Sequence, residues 1–228
     1  MDESKGNSHL IWIASFDIGK RNFAFCVEEI DLNQLRTIEN IDRAQRYFKD
    51  GTSTPEFACI LKQVCSTGRI ILLENIDLYA NCDKSTKKLD PLVFVNMYNV
   101  LSKYKSYWDK CISFVIEQQM AFGNKHNHVA SKLGQHCFSY FVFNYAQFKN
   151  TIEFPSYYKT KVLGAGKSMA KRERKLWAVN KAMEILADRD DQSTIDDISS
   201  RKKRDDVSDT IVQLQAYKFL VFVDEQIF

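Results

Sequence analysis

The sequence predicts an α/β fold in which a mixed, five-stranded β-sheet is flanked by helices. Of its 228 residues, 45% are hydrophobic and 13% are aromatic, which is enough to build the buried core of one compact domain. Strand-like segments come first and lie close together, as they do in a hairpin. Later in the chain helical segments alternate with strands, which is typical of sheets with parallel neighbours.

Three of the predicted strands lie in the first third of the chain. They are apolar, contain many β-branched and aromatic residues, and occupy 10–18, 23–30 and 69–76. The first two are separated by the short turn IGKRN, so we expect them to pair as a hairpin. Residues 31–68 between the second and third strands are less regular, with a helix expected at about 55–65.

The remaining strands and the longer helices follow in alternation. The two further strands are predicted at 111–119 (CISFVIEQQ) and within TIEFPSYY (151–158), where Pro155 stops a short strand. The helices are predicted from Pro91 to about Trp108, at 127–147, at 169–187, and from about Asp205 onward. Asp90 is the expected N-cap of the helix that begins at Pro91. Residues 188–204 are highly charged and lack aromatic side chains, which predicts a mobile loop.

The overall composition excludes several classes of protein. The net charge of +3 indicates no partner by itself, and the polar start of the chain lacks the features of a signal or transit peptide. No segment has the length and apolarity of a membrane span. The six cysteines form no C-x-x-C pair, so we expect reduced thiols in an intracellular protein. His126 and His128 form an H-x-H pair, but their spacing from His136 and Cys137 matches no standard zinc site.

Two carboxylates stand at the ends of predicted strands. Asp17 is followed by Gly19, which is a common arrangement at metal or phosphate sites, although an Asp that merely ends a strand in a turn fits equally well. Glu117 follows an apolar run, where a carboxylate is costly unless it is paired or bound to metal; alternatively the strand ends at Ile116. If the two strands are parallel neighbours, Asp17 and Glu117 lie at the same edge of the sheet.

A third acidic group opens the last helix. Asp206 and Asp209 are three residues apart and therefore lie on one face of that helix. Capping of the helix by Asp205 or Asp206 explains one acid but not a second acid one turn later. Carboxylates from two strand ends and one helix start would suit two divalent ions about 3.5–4 Å apart, as in phosphodiester cleavage. Oxygen ligands of this kind favour Mg²⁺, with Mn²⁺ as a substitute, over zinc.

Three blocks of the sequence resemble one known family. FDIGKRNFAF, VIEQQ and KRDDVSDTIVQLQAY, in this order, are similar to the Holliday-junction resolvases of poxviruses and other large DNA viruses. Those are RuvC-like enzymes with the RNase H (retroviral integrase) fold. The resemblance implies a single RNase H-like resolvase domain over 1–228, with an insertion at 31–68, because Asp17 and Glu117 are 100 positions apart.

The resemblance also implies a site and an activity. Asp17, Glu117, Asp206 and Asp209 would be the catalytic, metal-binding carboxylates for two Mg²⁺ ions, and Lys171 and Lys175 are the candidate catalytic lysines. The enzyme would act as a homodimer that resolves four-way DNA by paired symmetric nicks during viral replication, recombination and concatemer processing. It would need no membrane and no small-molecule cofactor, and it would act in the host cytoplasm, with the nucleus as the alternative.

The distribution of charge is a separate indication of a DNA substrate. Residues 159–181 contain eight Lys or Arg residues and one acid, Glu173, and 201–204 add the run RKKR beside the last acidic group. Cations that bracket a carboxylate site fit a phosphodiester nuclease, although a solvated helix face and a nuclear-localisation-like run remain the alternative. The candidate DNA-binding residues are Lys20, Arg21, Asn22, Lys159, Lys161, Lys167, Arg172, Arg174, Lys202 and Lys203. No sequence-reading motif is present, so we expect recognition of DNA shape.

Two other functions and one interface stay open at this point. A non-catalytic DNA-binding protein of the same fold would have the same basic segments. An actin-like or sugar-kinase ATPase shares the D-x-G-x-x-N start but needs a second such domain, for which 228 residues leave no room. The helix at 127–147 contains Leu133, Phe138, Phe141, Phe143 and Tyr145. These side chains predict either a dimer interface or an interior helix.

Overall fold

The computed structural model describes residues 9–82, 90–119 and 127–226, and within them a single five-stranded mixed sheet has the strand order β3-β2-β1-β4-β5. The strands are β1 (Leu10–Asp17), β2 (Phe23–Asp31), β3 (Arg69–Ile76), β4 (Cys111–Gln118) and β5 (Asn150–Pro155). The first three pair antiparallel, whereas β4 runs parallel to both β1 and β5. The predicted α/β class with a mixed five-stranded sheet is therefore confirmed.

Helices cover both faces of this sheet. Those before β4 are α1 (Leu32–Arg36), α2 (Pro55–Ser66), α3 (Leu92–Lys103) and α4 (Lys105–Trp108). Those after it are α5 (His128–Tyr145), α6 (Tyr157–Val162), α7 (Lys171–Asp188), α8 (Gln192–Ser200) and α9 (Arg204–Lys218), which continues into a π-helical turn, Phe219–Val223. No helix among the described residues is long and apolar enough to cross a membrane.

Each face of the sheet has its own core. Phe16, Phe25 and Trp108 belong to an aromatic core beneath α3, α4 and α5. The opposite core, around Phe57 and Leu214, lies beneath α2, α7 and α9. Helix α9 is buried continuously from Thr210 to Lys218, so it is a central helix that contacts the sheet along its length.

The predicted mobile loop at 188–204 is wrong, because this segment contains helix α8. Asp191 caps the helix by accepting a hydrogen bond from the Thr194 backbone N–H at 3.1 Å. Ile198 is fully buried, and Ile195, three residues earlier, packs against the same core. These two apolar side chains, at helical spacing, anchor α8 to the core although the average composition of the segment is polar.

Other predicted boundaries shift by a few residues. The fifth strand ends at Pro155, as predicted, and Tyr157 and Tyr158 begin the short helix α6. The helix predicted from Pro91 to Trp108 is divided at Tyr104 into α3 and α4, while the Asp90 carboxylate accepts from the Leu92 backbone N–H at 2.9 Å. All six cysteines are free thiols.

The aromatic helix predicted as an interface or an interior helix is α5. Leu133, Phe141 and Tyr145 are buried, so one face of α5 is interior. Phe143 points outward with 87% of its surface exposed. His128 at the start of α5 is exposed, and His126 lies outside the described residues.

Candidate active site

Two acidic side chains meet at one edge of the sheet. Strands β1 and β4 are parallel neighbours, and Phe16 lies opposite Ile116, so Asp17 and Glu117 follow side by side. A hydrogen bond joins their carboxyl groups. Burial raises the pKa of Asp17 well above its usual value, and the charge of Glu117 raises it further. Asp17 is therefore the protonated partner and donates to Glu117.

Lys159 lies at the centre of this acidic group. Its Nζ is 3.0 Å from Glu117 Oε1 and 2.8 Å from Asp209 Oδ1. Burial alone would lower the pKa of Lys159, but the charges of Glu117 and Asp209 outweigh burial and raise it. Burial would likewise raise the pKa of Glu117, yet the Lys159 ammonium and the Asp17 hydrogen bond hold it below its usual value. Lys159, predicted as a DNA-binding residue, is thus a partner of the carboxylates.

The remaining acids of the site lie at the start of α9. Asp205 forms an ion pair with Lys175, and Asp209 points towards Lys159 and Glu117. Burial and the neighbouring charge of Asp205 raise the pKa of Asp206 to about 6. The Oδ2 atom of Asp206 is buried and has no hydrogen-bond partner among the described residues. An unsatisfied buried carboxylate oxygen is costly and is a ready ligand for a cation.

Gln213 fixes the position of α9 against the two strands that carry Asp17 and Glu117. Its buried side-chain amide donates to Ser15 Oγ at 3.0 Å on β1 and to the Val115 carbonyl at 3.1 Å on β4. Asp209 lies four residues before Gln213, one helical turn closer to the sheet edge. This buried amide therefore fixes the position of α9 along the two strands, and with it the position of Asp206 and Asp209 relative to the strand ends.

The turn after β1 needs a glycine to bring the chain close to the site. A Cβ on Gly19 would lie 2.7 Å from the carbonyl oxygen of Asn22, closer than real atoms approach. Asn22 is half-buried, whereas Lys20 and Arg21 are exposed and lie over the ring of Tyr79, at 4.7 and 5.6 Å from its centre. The turn thus holds two of the predicted DNA-binding cations beside the Asp17 strand end.

An open cleft of about 300 Å³ borders the acidic group. Glu117, Lys159 and Asp209 form its acidic wall. The other wall is supplied by α6 and α7 and includes Tyr157, Thr160, Lys171, Arg174 and Lys175. Lys161, Lys167, Arg172, Lys202 and Lys203 are exposed but do not line this cleft. The structure therefore brings the predicted acids together with three of the predicted cations from α7.

The donor set fits divalent cations that prefer oxygen. Among the described residues, no three His, Cys, Asp or Glu side chains are grouped to hold a metal ion as they stand. The Lys159 ammonium lies between the carboxylates of Glu117 and Asp209, so these two acids are paired with a lysine and are not grouped around a common metal position. The unpartnered oxygen of Asp206 and the all-carboxylate chemistry match Mg²⁺ or Mn²⁺.

Three residues of the site were not predicted in these roles. Lys159 lies in α6, the short helix after β5, and its place beside Glu117 depends on β5 pairing with β4. Asp205 and Asp206, the expected caps, lie instead in the first turn of α9 after the N-cap Lys203, and Asp205 pairs with Lys175. Gln213 carries no sequence signal, because a buried amide in a helix is recognised only from its partners.

Two solved structures share this architecture over nearly their whole length. The structure of the Fowlpox virus resolvase with substrate Holliday junction DNA has a TM-score of 0.54 and 16% identity, covering 92% of this chain and 99% of that one. The Fowlpox virus Holliday junction resolvase gives a TM-score of 0.51 and 14% identity over the same shares. The chain has the RNase H-like α/β fold of the viral RuvC-like resolvases, as its three sequence blocks indicated.

Sequence comparison defines the family within that fold. No family model matches the chain. It is 33% identical to Uncharacterized protein 170L of Invertebrate iridescent virus 6, over 94% of this chain and 92% of that protein. It is 30% identical to Uncharacterized protein 97L of Invertebrate iridescent virus 3, over 90% and 98% respectively. The chain belongs to the family of iridescent-virus proteins that includes 170L and 97L.

Proposed function

We propose that this protein is a structure-selective endonuclease that resolves Holliday junctions by metal-dependent phosphodiester hydrolysis. The observation that carries the proposal is the meeting of Asp17, Glu117 and Asp209 at one sheet edge, beside a cleft whose other wall is basic. Its support is the fold shared with the Fowlpox virus resolvase, whose structure contains substrate Holliday junction DNA.

Asp17, Glu117, Asp206 and Asp209 would hold two divalent ions, Mg²⁺ or in its place Mn²⁺. When bound, such ions activate water and stabilise negative charge on the leaving oxygen. Burial raises the pKa of both Asp17 and Asp206, so protons compete with the metal ions for these two ligands as the pH falls. The positive charge of Lys159 keeps Glu117 ionised before a metal ion arrives.

The basic wall of the cleft would hold the scissile strand. Lys171, Arg174 and Lys175 face the acidic wall and can contact phosphate oxygens on either side of the cut. Lys175 is held close to the acids by Asp205. Of the lysines in the cleft, Lys159 makes direct contact with Glu117 and Asp209, and we propose it as the catalytic-site lysine alongside Lys171 and Lys175.

The remaining parts of the proposal concern the assembly and the setting. A homodimer would place two such clefts on one four-way junction and so produce paired, symmetric nicks. Exposed Phe143 on α5 is available to such an interface. The processing of replicating or recombining viral DNA, in the host cytoplasm or nucleus, stays a prediction.

The test is cleavage of a synthetic four-way junction in Mg²⁺ or Mn²⁺. We expect the unmodified chain to make paired nicks, and Asp17→Asn and Asp206→Asn to lose at least about a hundredfold of the rate, because each removes a metal ligand. Glu39→Gln is the matched control, since Glu39 is exposed and lies in the inserted segment.

Two outcomes would contradict the proposal. One is cleavage at the normal rate by both variants. The other is tight junction binding without any nick in either metal, which would identify the chain as a non-catalytic DNA-binding protein.

A further inference from the structure

The inserted segment between β2 and β3 carries a tight hairpin at 47–53. Tyr47 and Ser53 pair as an antiparallel bridge. The Phe48 backbone N–H donates to the Thr52 carbonyl, and the Gly51 N–H donates to the Phe48 carbonyl, both at 2.9 Å. Gly51 has φ +88°, a left-handed conformation that favours glycine. The hairpin therefore has a defined turn, with Phe48 and Lys49 at its tip.

This hairpin is attached to the loop that joins α6 to α7. The Lys167 backbone N–H donates to the Asp50 carbonyl at 2.7 Å, and Lys167 Nζ donates to the Lys49 carbonyl at 2.9 Å. Thr52 and Ala165 form a further bridge between the two segments. Since α6 carries Lys159 and α7 carries the basic wall of the cleft, the hairpin adjoins the segment that holds the site.

The base of the hairpin is fixed to the core. Arg46 is buried and forms an ion pair at 2.5 Å with Asp224, after the last helical turn. The hydroxyl of Tyr47 donates to the Val162 carbonyl at 2.9 Å. A Cβ on Gly164 would lie 2.1 Å from Ser53 Oγ, so the hairpin and the loop between α6 and α7 approach each other as closely as glycine allows. These contacts pre-organise the tip and reduce the entropy that it would lose on binding.

The tip itself is exposed and carries cations. Phe48 has 54% of its surface exposed, and Lys49 beside it is exposed as well. A lone exposed aromatic residue is common on protein surfaces and shows nothing by itself. What sets Phe48 apart is a rigid turn with Lys49 and Lys167 beside it. The carboxylate of Asp50, the acid of this turn, is engaged by the Thr52 N–H at 2.9 Å and hydroxyl at 2.7 Å.

We propose that the hairpin 47–53 is a junction-contacting element, in which Phe48 stacks on a base exposed at the branch point while Lys49 and Lys167 contact the adjoining phosphates. This inference rests on the proposed function. Stacking on an aromatic ring does not depend on base identity, whereas it does require a base that is not already stacked in a duplex. The element would therefore favour branched DNA over linear duplex.

The test compares Phe48→Ala with the unmodified chain on a four-way junction and on a linear duplex of matching sequence, without divalent metal so that nothing is cut. We expect about tenfold weaker binding to the junction and unchanged binding to the duplex. Phe48→Trp should restore junction binding. Phe148→Ala is the matched control, because Phe148 is 86% exposed in the turn between α5 and β5, outside this element, and its loss should change neither affinity.

The possible failures are distinguishable. If Phe48→Ala binds the junction as tightly as the unmodified chain, or loses affinity for junction and duplex alike, the inference is wrong and the proposed function stands. If the unmodified chain shows no preference for the junction over the duplex, the proposed function is wrong and the inference falls with it. An unchanged melting temperature for Phe48→Ala shows that the variant is folded.

Discussion

At the scale of single residues, the site is a set of carboxylates whose pKa values are shifted in opposite directions by burial and by neighbouring charges. Asp17 and Asp206 have raised pKa values because they are buried, whereas Glu117 is kept ionised by Lys159. Such perturbed groups, clustered in one cleft, are typical of functional sites. A buried carboxylate with no hydrogen-bond partner, as at Asp206 Oδ2, is more costly to the fold than a paired one and gains most from a cation.

The state of Asp206 leads to a prediction about Mg²⁺ and pH. A ligand that binds the folded chain alone raises its melting temperature. Because the pKa of Asp206 is raised to about 6, protons compete with metal below that pH. We expect Mg²⁺ to raise the melting temperature at about pH 8 and to raise it much less at about pH 5.

The control for this measurement is Asp206→Asn, which should show a smaller Mg²⁺ effect at both pH values. The assignment of Asp206 as a ligand would be wrong if this variant were stabilised by Mg²⁺ as strongly as the unmodified chain. Thermal unfolding followed by circular dichroism, with chloride concentration held constant, distinguishes the two results.

At the scale of elements, α9 connects the site to the rest of the fold. At one end it presents Asp206 and Asp209, and in its middle Gln213 bonds to β1 and β4. At its other end Lys218 is fully buried and donates to Glu28 Oε1 on β2 at 2.8 Å. Arg189, after α7, donates to the same carboxylate oxygen at 2.9 Å. Burial would raise the pKa of Glu28, but Arg189 and Lys218 hold it below its usual value.

Loss of Lys218 should therefore destabilise the chain strongly. Lys218→Met keeps most of the side-chain volume but leaves Glu28 with Arg189 as its remaining cation, and we expect a cost of about 3 kcal/mol in the free energy of unfolding. Urea denaturation measures this cost. The double variant Glu28→Gln with Lys218→Met should be less stable than Lys218→Met alone, because it also leaves the buried Arg189 guanidinium without a carboxylate partner. A double variant that is more stable would contradict the assignment of Glu28 as the shared partner of two buried cations.

The elements also show how far sequence reasoning reaches. The strands follow from apolar runs, and the acidic start of the last helix follows from the spacing of its carboxylates. The meeting of Asp17 and Glu117 followed only on the condition that their strands are parallel neighbours, which the structure shows. The segment 188–204 was misjudged because its mean polarity hides Ile195 and Ile198, which pack on the core at helical spacing. Gln213 and the Lys159 contacts depend on tertiary positions that no local pattern encodes. The carboxylates were predictable because a buried acid is costly unless it is paired or binds a cation. The side chains that contact them are known only from the three-dimensional structure.

At the scale of the whole molecule, the small net charge of +3 conceals a separation of charge. Glu117 at the end of β4 and Asp209 in α9 lie on one wall of a cleft, and the cations of α7 lie on the other. A binding surface for a polyanion needs local, not total, positive charge. The segment between β2 and β3 adjoins this cleft, since its hairpin is attached to the loop between α6 and α7.

The central claim is that this fold and cleft resolve four-way DNA, and strand-by-strand mapping of the products tests it most directly. A junction labelled on each of its four strands in turn is incubated with the full chain and Mg²⁺, beside a linear duplex of the same sequence. We predict nicks at symmetric positions on two opposing strands, ends that a ligase can seal, and an uncut duplex. A junction that stays intact at saturating protein and metal, or a duplex cut as readily as the junction, would contradict the account.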